Sequence, residues 1–297
     1  MFDKTARFDW YQATVPASVA LLHETLTNGL DLDVPPRPVP PRFGFKHGLS
    51  WHLEETAEDL ALMFWGGHNL NPHVLATSDR APALAGLLAY VFPEHRVSRA
   101  DVCVDLSEEG LFDRGAEVFA AVHRLFPRVQ FTRYGPGRDD HTGDVGRTLY
   151  LGSPSSPVRL VWYEKGFEQY SRTGDRVWIG VPEFRYWSRL EIRCRPEKHF
   201  KQQAAKLKPH EFFGTTAWAR EVAQGILNLN AEPIRMKPTR IADQERAMRA
   251  LSAQYGQVLQ RQIERMGEVA AWDDLKRRIG LDLPEACLLY TSPSPRD

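Results

Sequence analysis

Cysteine is scarce in this chain of 297 residues, long apolar runs are absent, and the formal charges cancel. The three cysteines, Cys103, Cys194 and Cys287, lie far apart without CxxC or CxxH spacing, which argues against a disulfide framework and a zinc site. No stretch approaches the roughly 18 consecutive apolar residues of a membrane-spanning helix. The first residues contain no apolar segment typical of a secretory signal. We therefore expect a cytoplasmic globular protein with no membrane partner.

The absence of net charge hides an uneven distribution along the chain. Residues 1–110 hold 8 Lys and Arg against 15 Asp and Glu, a balance of −7. Residues 151–210 hold 12 against 6, a balance of +6. A polyanion responds to a local basic surface, so the neutral total does not exclude a nucleic-acid partner.

Short strands alternate with a few helices, without regular βαβ order. Hydrophobic patterns predict strands over 8–15, 49–53, 61–65, 97–106, 148–152, 158–165 and 187–195, and helices over 17–28, 81–92, 115–126, 198–206, 218–228 and 240–266. This order indicates an α+β fold with a mostly antiparallel central sheet, helices on one face and a C-terminal helical region. We predict a first domain over 1–205 and the helical region over 206–286. Residues 287–297, CLLYTSPSPRD, resemble translated sequencing-adapter sequence, so we expect them not to be native.

Three of the predicted strands carry charged side chains on one face and apolar side chains on the other. Side chains alternate between the two faces of a strand, so each set can be read directly from the sequence. The polar sets are Arg99, Asp101 and Asp105 on the first strand, Arg159, Tyr163 and Lys165 on the second, and Arg189, Glu191 and Arg193 on the third. If the apolar faces share one core, these polar sets converge on the opposite face.

Such a face has the composition of a phosphoryl-transfer site. The carboxylates of Asp101, Asp105 and Glu191 are the ligands that Mg²⁺ or Mn²⁺ prefers. A nearby phenol becomes a nucleophile when cations favour its phenolate, which its ordinary pKa near 10 otherwise disfavours at neutral pH. The arginine fork binds phosphate oxygens in a bidentate manner, and Lys165 adds a point charge. The turn containing Ser153 adds small hydroxyl residues suited to a sugar-phosphate backbone.

Ordered motifs carry a family resemblance. VSRADVCVDL precedes GRTLYLGSPSSPVRLVWYEKGFEQ, and YWSRLEIRCRPEK follows after a gap. This set resembles the replication initiation factor family, which comprises rolling-circle initiators of phages and plasmids and related relaxases of conjugative elements. The resemblance runs from about Asp9 to Trp218. It departs from the family pattern at Pro154, where the family usually has arginine after Gly-Ser.

The resemblance implies a metal-dependent endonuclease that nicks one strand at an origin. Its tyrosine stays joined to the 5′ phosphate and leaves a 3′ hydroxyl for a polymerase. By position Tyr163 is the nucleophile, with Tyr150 second and Tyr170 third. Residues 1–205 would then be the DNA-nicking domain. The residues predicted to contact DNA are Arg99, Arg147, Ser153, Arg159 and Arg193, and those predicted for catalysis are Tyr163, Lys165 and Arg189.

Alternatives remain open at this stage. A DNA-binding control protein of a mobile element would need neither the tyrosine nor the carboxylates, and a hydrolytic nuclease would need only the carboxylates. A relaxase for conjugative transfer would use the same chemistry. Candidate partners are single-stranded or hairpin origin DNA, a host helicase, a host polymerase and a second copy of the chain. His52 and His68 are read as structural or solvent-facing, and the arginines of the long tail helix as part of a solvated face.

Overall fold

The structure is a computed structural model that describes residues 5–136, 144–198, 200–234 and 240–280. The chain forms two compact units, Met1–Lys237 and Pro238–Asp297. The segment 287–297, which the sequence predicts not to be native, lies entirely outside the described residues.

The first unit is built on an antiparallel sheet. The described strands are β1 (Arg7–Thr14), β2 (Arg37–Pro38), β3 (Phe45–Leu53), β4 (Glu58–Gly67), β5 (His73–Thr77), β6 (Arg96–Ser107), β7 (Phe131–Tyr134), β8 (Thr148–Leu151), β9 (Val158–Glu164) and β10 (Trp187–Cys194). Their order across the sheet is β2-β3-β4-β5-β1-β6-β10-β9-β8-β7, and every neighbouring pair is antiparallel. The predicted α+β fold with a mostly antiparallel sheet is confirmed.

Helices connect the strands or follow the last one. The first unit contains α1 (Val19–Gly29), α2 (Arg80–Val91), α3 (Leu111–Leu125), α4 (Lys165–Thr173), α5 (Val177–Gly180), α6 (Pro182–Arg185), α7 (Phe200–Ala204), a 3-10 helix (Pro209–Thr215) and α8 (Ala217–Leu227). The second unit contains α9 (Arg240–Met266) and α10 (Glu268–Arg278), which pack against each other. Among the described residues no helix is long and apolar enough to cross a membrane.

One face of the sheet forms the main core, because the apolar residues of its central strands alternate as the sequence predicts. Val102 and Val104 of β6 point to this face, as do Leu190 and Ile192 of β10. Helices α1, α2, α3, α7 and α8 bury their apolar sides in the same cluster. The alternate side chains of the central strands are therefore left for the opposite face, which we call the polar face.

Helix α3 packs against β9 at a glycine. A methyl group added at Gly115 would lie 2.5 Å from the indole Nε1 of Trp162, which is fully buried. That Nε1 donates a hydrogen bond to the carbonyl of Phe112 in the same helix, at 3.0 Å. The glycine therefore permits the contact that seats α3 on the sheet.

Several elements differ from the sequence prediction. Strands β5 and β7 are only five and four residues long, and helices α5 and α6 only four each, so none shows a readable period. The first compact unit also extends beyond residue 205. Phe212 and Phe213 of the 3-10 helix and Val222 of α8 are buried in the core of the sheet, which keeps these elements with the first unit.

Candidate active site

The register of β6, β10 and β9 brings the predicted polar residues together on the polar face. Arg189 lies opposite Asp105 on one side and opposite Tyr163 on the other. Four residues further along β10, Arg193 lies opposite Asp101 and Arg159. The alternation of polar and apolar side chains in the sequence therefore agrees with the register of the three strands in the sheet. Lys165 differs, because β9 ends at Glu164 and Lys165 begins helix α4.

Arg189 and Asp105 form a buried bidentate ion pair. The Nε and Nη2 atoms of Arg189 donate to the two carboxylate oxygens at 2.7 and 2.8 Å. Trp187 Nε1 donates to the same carboxylate at 2.7 Å, and Arg7 also pairs with it. Burial alone would raise the pKa of Asp105, but the hydrogen bonds and charges of Arg189 and Arg7 hold it below its ordinary value. This geometry favours a structural role for Asp105 over the predicted metal ligation.

Asp101 and Glu191 are the other two predicted carboxylates on the polar face, and both are buried. Asp101 accepts hydrogen bonds from Arg99 Nε at 3.0 and 3.1 Å, and Glu191 Oε1 accepts one from Arg193 Nε at 2.7 Å. Burial raises the pKa of both carboxyl groups, and the arginines only partly offset this effect. The negative charge of Asp101 also raises the pKa of Glu191. The Nε atom of Arg193 lies 2.7 Å from Glu191 and 4.0 Å from Asp101, so the two carboxylates share one cationic neighbour.

Tyr163 is partly buried between Arg189 and Thr148 of the neighbouring strands. Burial raises the pKa of its phenol, and the charge of Glu191 raises it further, whereas Arg189 lowers it. The Nζ atom of Lys165 lies 5.6 Å from the centre of its ring and pairs with Glu168 at 2.6 Å. The phenol is therefore neutral at neutral pH until further positive charge favours its phenolate.

The two other candidate tyrosines lie in different settings. Tyr150 of β8 lies opposite Val161, on the polar face and diagonally adjacent to Tyr163. Tyr170 lies in helix α4, where its hydroxyl contacts Asp144 at 3.4 Å. Only Tyr163 has a direct cross-strand arginine neighbour on β10.

The residues predicted to contact DNA divide into two groups. Arg147 is buried and bonded to Glu164 at 2.7 Å and to Asp113 at 2.8 Å, which indicates a structural role. Arg99, Arg159 and Arg193 lie on the polar face and are partly exposed, as is Ser153 in the turn after β8. Solvent therefore reaches all four side chains, and two of them, Arg99 and Arg193, also pair with carboxylates.

The two candidate histidines, His52 and His68, lie away from this site. His52 of β3 pairs with Asp59 at 2.8 Å, and His68 is exposed after β4. Within the described ranges, no group of three or more His, Cys, Asp or Glu side chains has the arrangement of a metal site. Protein carboxylates alone therefore do not complete a coordination sphere in the described part of the chain.

Sequence reasoning gave no role in the site to Asp9, Arg7 or Trp187, although the strand period places Trp187 on the same face as Arg189. Asp9 accepts a hydrogen bond from Arg189 Nη1 at 2.9 Å, and its charge raises the pKa values of Asp101, Glu191 and Tyr163. It lies at an irregularity between Phe8 and Trp10, where the pairing of β1 with β6 shifts. A bulge of this kind changes the facing of a side chain and leaves no signal in the residue pattern.

The fold and the polar face define an α+β protein whose central antiparallel sheet presents arginines, carboxylates and a tyrosine together. The family model described as replication initiation factor matches residues 96–266, which is more than half of the chain, so the chain belongs to this family. The matched segment includes β6, β9 and β10 and all three predicted carboxylates. Family membership assigns the protein to the initiation of replication.

The chain is also similar to a solved structure. It is the rolling circle replication initiator protein from Geobacillus stearothermophilus, with 17% sequence identity and a TM-score of 0.46. The similarity covers 77% of this chain and 99% of that chain. No curated protein matches the chain.

Proposed function

We propose that this replication initiation factor is a rolling-circle initiator that nicks one DNA strand at an origin, with Tyr163 as the nucleophile. The observation that carries the proposal is the position of Tyr163 directly opposite Arg189, on the face that also holds Asp101 and Glu191. A tyrosine, two adjacent buried carboxylates and several arginines on one rigid sheet are the parts that strand transfer requires.

Asp101 and Glu191 fit a hard divalent cation such as Mg²⁺ or Mn²⁺. They are buried, they repel each other, and a cation between them would relieve that repulsion. Mg²⁺ is commonly held by one or two carboxylates together with waters and substrate phosphates, so two protein ligands suffice. Asp105 fits less well, because Arg189, Arg7 and Trp187 all bind it and its pKa lies below the ordinary value, whereas arginines only partly offset burial at Asp101 and Glu191. When bound, the cation would supply positive charge to the scissile phosphate and to the phenolate.

The residues of the chain then have distinct tasks. The Oη atom of Tyr163 forms a bond to phosphorus while the bond from phosphorus to the 3′ oxygen breaks. The phenol loses its proton and the 3′ oxygen gains one, so the products are a 5′-phosphotyrosine link and a free 3′ hydroxyl. Arg189 lowers the pKa of Tyr163 against the effects of burial and Glu191, and Lys165 adds positive charge beside the ring. Arg189 is thus a positioning residue, since Asp105 and Asp9 hold its guanidinium.

The proposal includes the partners that the chemistry calls for. Origin DNA in single-stranded or hairpin form would lie across the polar face. A host polymerase would extend the 3′ hydroxyl after a host helicase has opened the duplex. These two proteins, and pairing with a second copy of the chain, stay predictions.

The test uses single-stranded oligonucleotides from the neighbourhood of the gene, labelled at the 3′ end, with Mn²⁺ or with EDTA. A denaturing gel should show a labelled adduct of protein size that requires the metal and is absent in Tyr163→Phe. Metal-dependent cuts without an adduct would indicate a hydrolytic nuclease and contradict the proposal. Tight binding without any cut would indicate a DNA-binding control protein.

A further inference from the structure

Arg159 differs from the other arginines of the polar face. Arg99, Arg189 and Arg193 each pair with a carboxylate, namely Asp101, Asp105 and Glu191 respectively. Arg159 has no ion pair within the described part of the chain, and its Nε is buried without a hydrogen-bond partner there. Its neighbours Arg193 and Arg195 are themselves cationic, and after burial their charges contribute to lowering the pKa of Arg159. An anion is the partner that this guanidinium lacks.

The guanidinium of Arg159 also lies on an aromatic surface. Its central carbon lies 3.8 Å from the centre of the Tyr150 ring. The rings of Tyr150 and Tyr134 meet edge to face, with centres 5.7 Å apart and planes at 87°. Arg159, Tyr150 and Tyr134 belong to the three successive strands β9, β8 and β7, so they form one continuous surface.

This surface reaches the edge of the sheet. Strand β7 is the last strand in the sheet order, and the Tyr134 side chain is 59% exposed. Tyr134 and Thr148 occupy the same row of the sheet as Tyr163, and Tyr150 is offset from that row by one pair. A chain lying on Tyr134 and Tyr150 would therefore pass directly beside Tyr163.

We propose that Arg159, Tyr150 and Tyr134 form a stacking platform that binds a nucleotide of single-stranded DNA next to the nicking site. Arg159 would pair with a phosphate, and the rings would stack on an unpaired base. Aromatic side chains stack on any base, but only where the base has left the duplex. The platform thus selects single-stranded DNA. The position of the platform beside the scissile phosphate rests on the proposed function. Its binding of single-stranded DNA does not require cleavage.

The experiment measures binding with no cleavage possible. Fluorescence anisotropy of the full chain is recorded in EDTA with a fluorescein-labelled 20-nucleotide oligothymidylate and with the corresponding duplex. Tyr150→Ala and Arg159→Gln should each weaken single-strand binding about tenfold or more and duplex binding much less. Tyr150→Phe keeps the ring and should bind within about twofold of the parent chain.

Two further variants separate a loss of DNA binding from a folding defect and from a general loss of positive charge. Tyr134→Ser changes an exposed side chain and should weaken single-strand binding while the free energy of unfolding stays that of the parent chain. Arg133→Gln removes the same charge as Arg159→Gln. Arg133 lies next to Tyr134 in β7 but on the other face of the sheet, so this variant should bind as the parent chain does. Unchanged single-strand affinity in both Tyr150→Ala and Tyr134→Ser would overturn the platform, as would an equal loss for single strand and duplex.

Different measurements test the platform and the nicking function: affinity for single-stranded DNA tests the first, and the covalent adduct tests the second. Tyr163→Phe should keep full single-strand affinity and lose the covalent adduct. An adduct that persists in Tyr163→Phe overturns the assignment of the nucleophile and leaves the platform standing. Loss of the adduct in Tyr150→Phe with binding intact has the same consequence.

Discussion

Arg189 links Asp105 to Tyr163 across three neighbouring strands. Its fork binds both oxygens of Asp105 at 2.7 and 2.8 Å, and its backbone pairs with that of Tyr163 in β9. The same guanidinium donates to Asp9 at 2.9 Å. One buried arginine therefore binds two carboxylates within the sheet and also lies next to the proposed nucleophile.

Removing this arginine should destabilise the protein. Arg189→Gln leaves Asp105 buried without its main partner, which typically costs about 3–5 kcal/mol in the free energy of unfolding. Urea unfolding followed by circular dichroism measures the change. The control Arg114→Gln breaks an exposed pair with Glu108 and should cost less than about 1 kcal/mol. Equal effects of the two changes would contradict the structural role of the Arg189–Asp105 pair.

The close approach of α3 to β9 gives a second prediction. Gly115→Ala forces a methyl group against Trp162 and should lower the free energy of unfolding by roughly 1–3 kcal/mol. Gly86→Ala in α2 meets nothing within 4 Å and should raise it by about 0.5–1 kcal/mol. Thermal unfolding of the two variants should shift in opposite directions. A neutral or stabilising Gly115→Ala would show that the helix does not lie this close to the strand.

The sequence predicted the polar face because a strand has a fixed period of two. Asp101, Glu191 and Tyr163 could be assigned to one side of their strands from the residue order alone. Which arginine pairs with which carboxylate depends on the order and register of strands far apart in sequence, so the pairing of Arg189 with Asp105 was not predictable. The burial of Arg147 was missed for the same reason, since its partner Asp113 comes from helix α3. Short elements such as β7 were missed because four residues show no period.

The buried His73 predicts a pH dependence of stability. Burial lowers the pKa of His73 from 6.5 to about 4 in the folded chain, where its ring contacts Gln12 at 2.7 Å and Thr14 at 3.1 Å. Between pH 6.5 and 4 the unfolded chain binds a proton that the folded chain does not. The contribution of His73 is therefore complete above pH 6.5 and falls as the pH falls towards 4.

Urea unfolding at pH 7 and pH 5 tests this dependence. The parent chain should lose roughly 2 kcal/mol more than His73→Gln over this interval. His68→Gln, at an exposed position, should follow the parent chain. A loss of the same size in the parent chain and in His73→Gln would show that His73 does not titrate abnormally.

The proposed carboxylate pair predicts a metal affinity that can be measured without DNA. Glu191→Gln removes one of two charges and should weaken Mn²⁺ binding roughly tenfold or more in a calorimetric titration. Asp59→Asn changes a carboxylate that pairs with His52 on another strand and should leave the Mn²⁺ affinity unchanged. Unaltered Mn²⁺ binding in Glu191→Gln would exclude this residue as a ligand.

The central claim is that Tyr163 forms the covalent link to DNA, and trypsin offers a direct test. Cleavage after Arg159 and Lys165 releases 160–165, in which Tyr163 is the only tyrosine, whereas Tyr150 and Tyr170 fall in the peptides 148–159 and 166–172. The adduct formed with Mn²⁺ is digested with nuclease and trypsin and analysed by tandem mass spectrometry. The account predicts a nucleotide phosphate on the peptide 160–165. The same modification on 148–159 or 166–172 would contradict it.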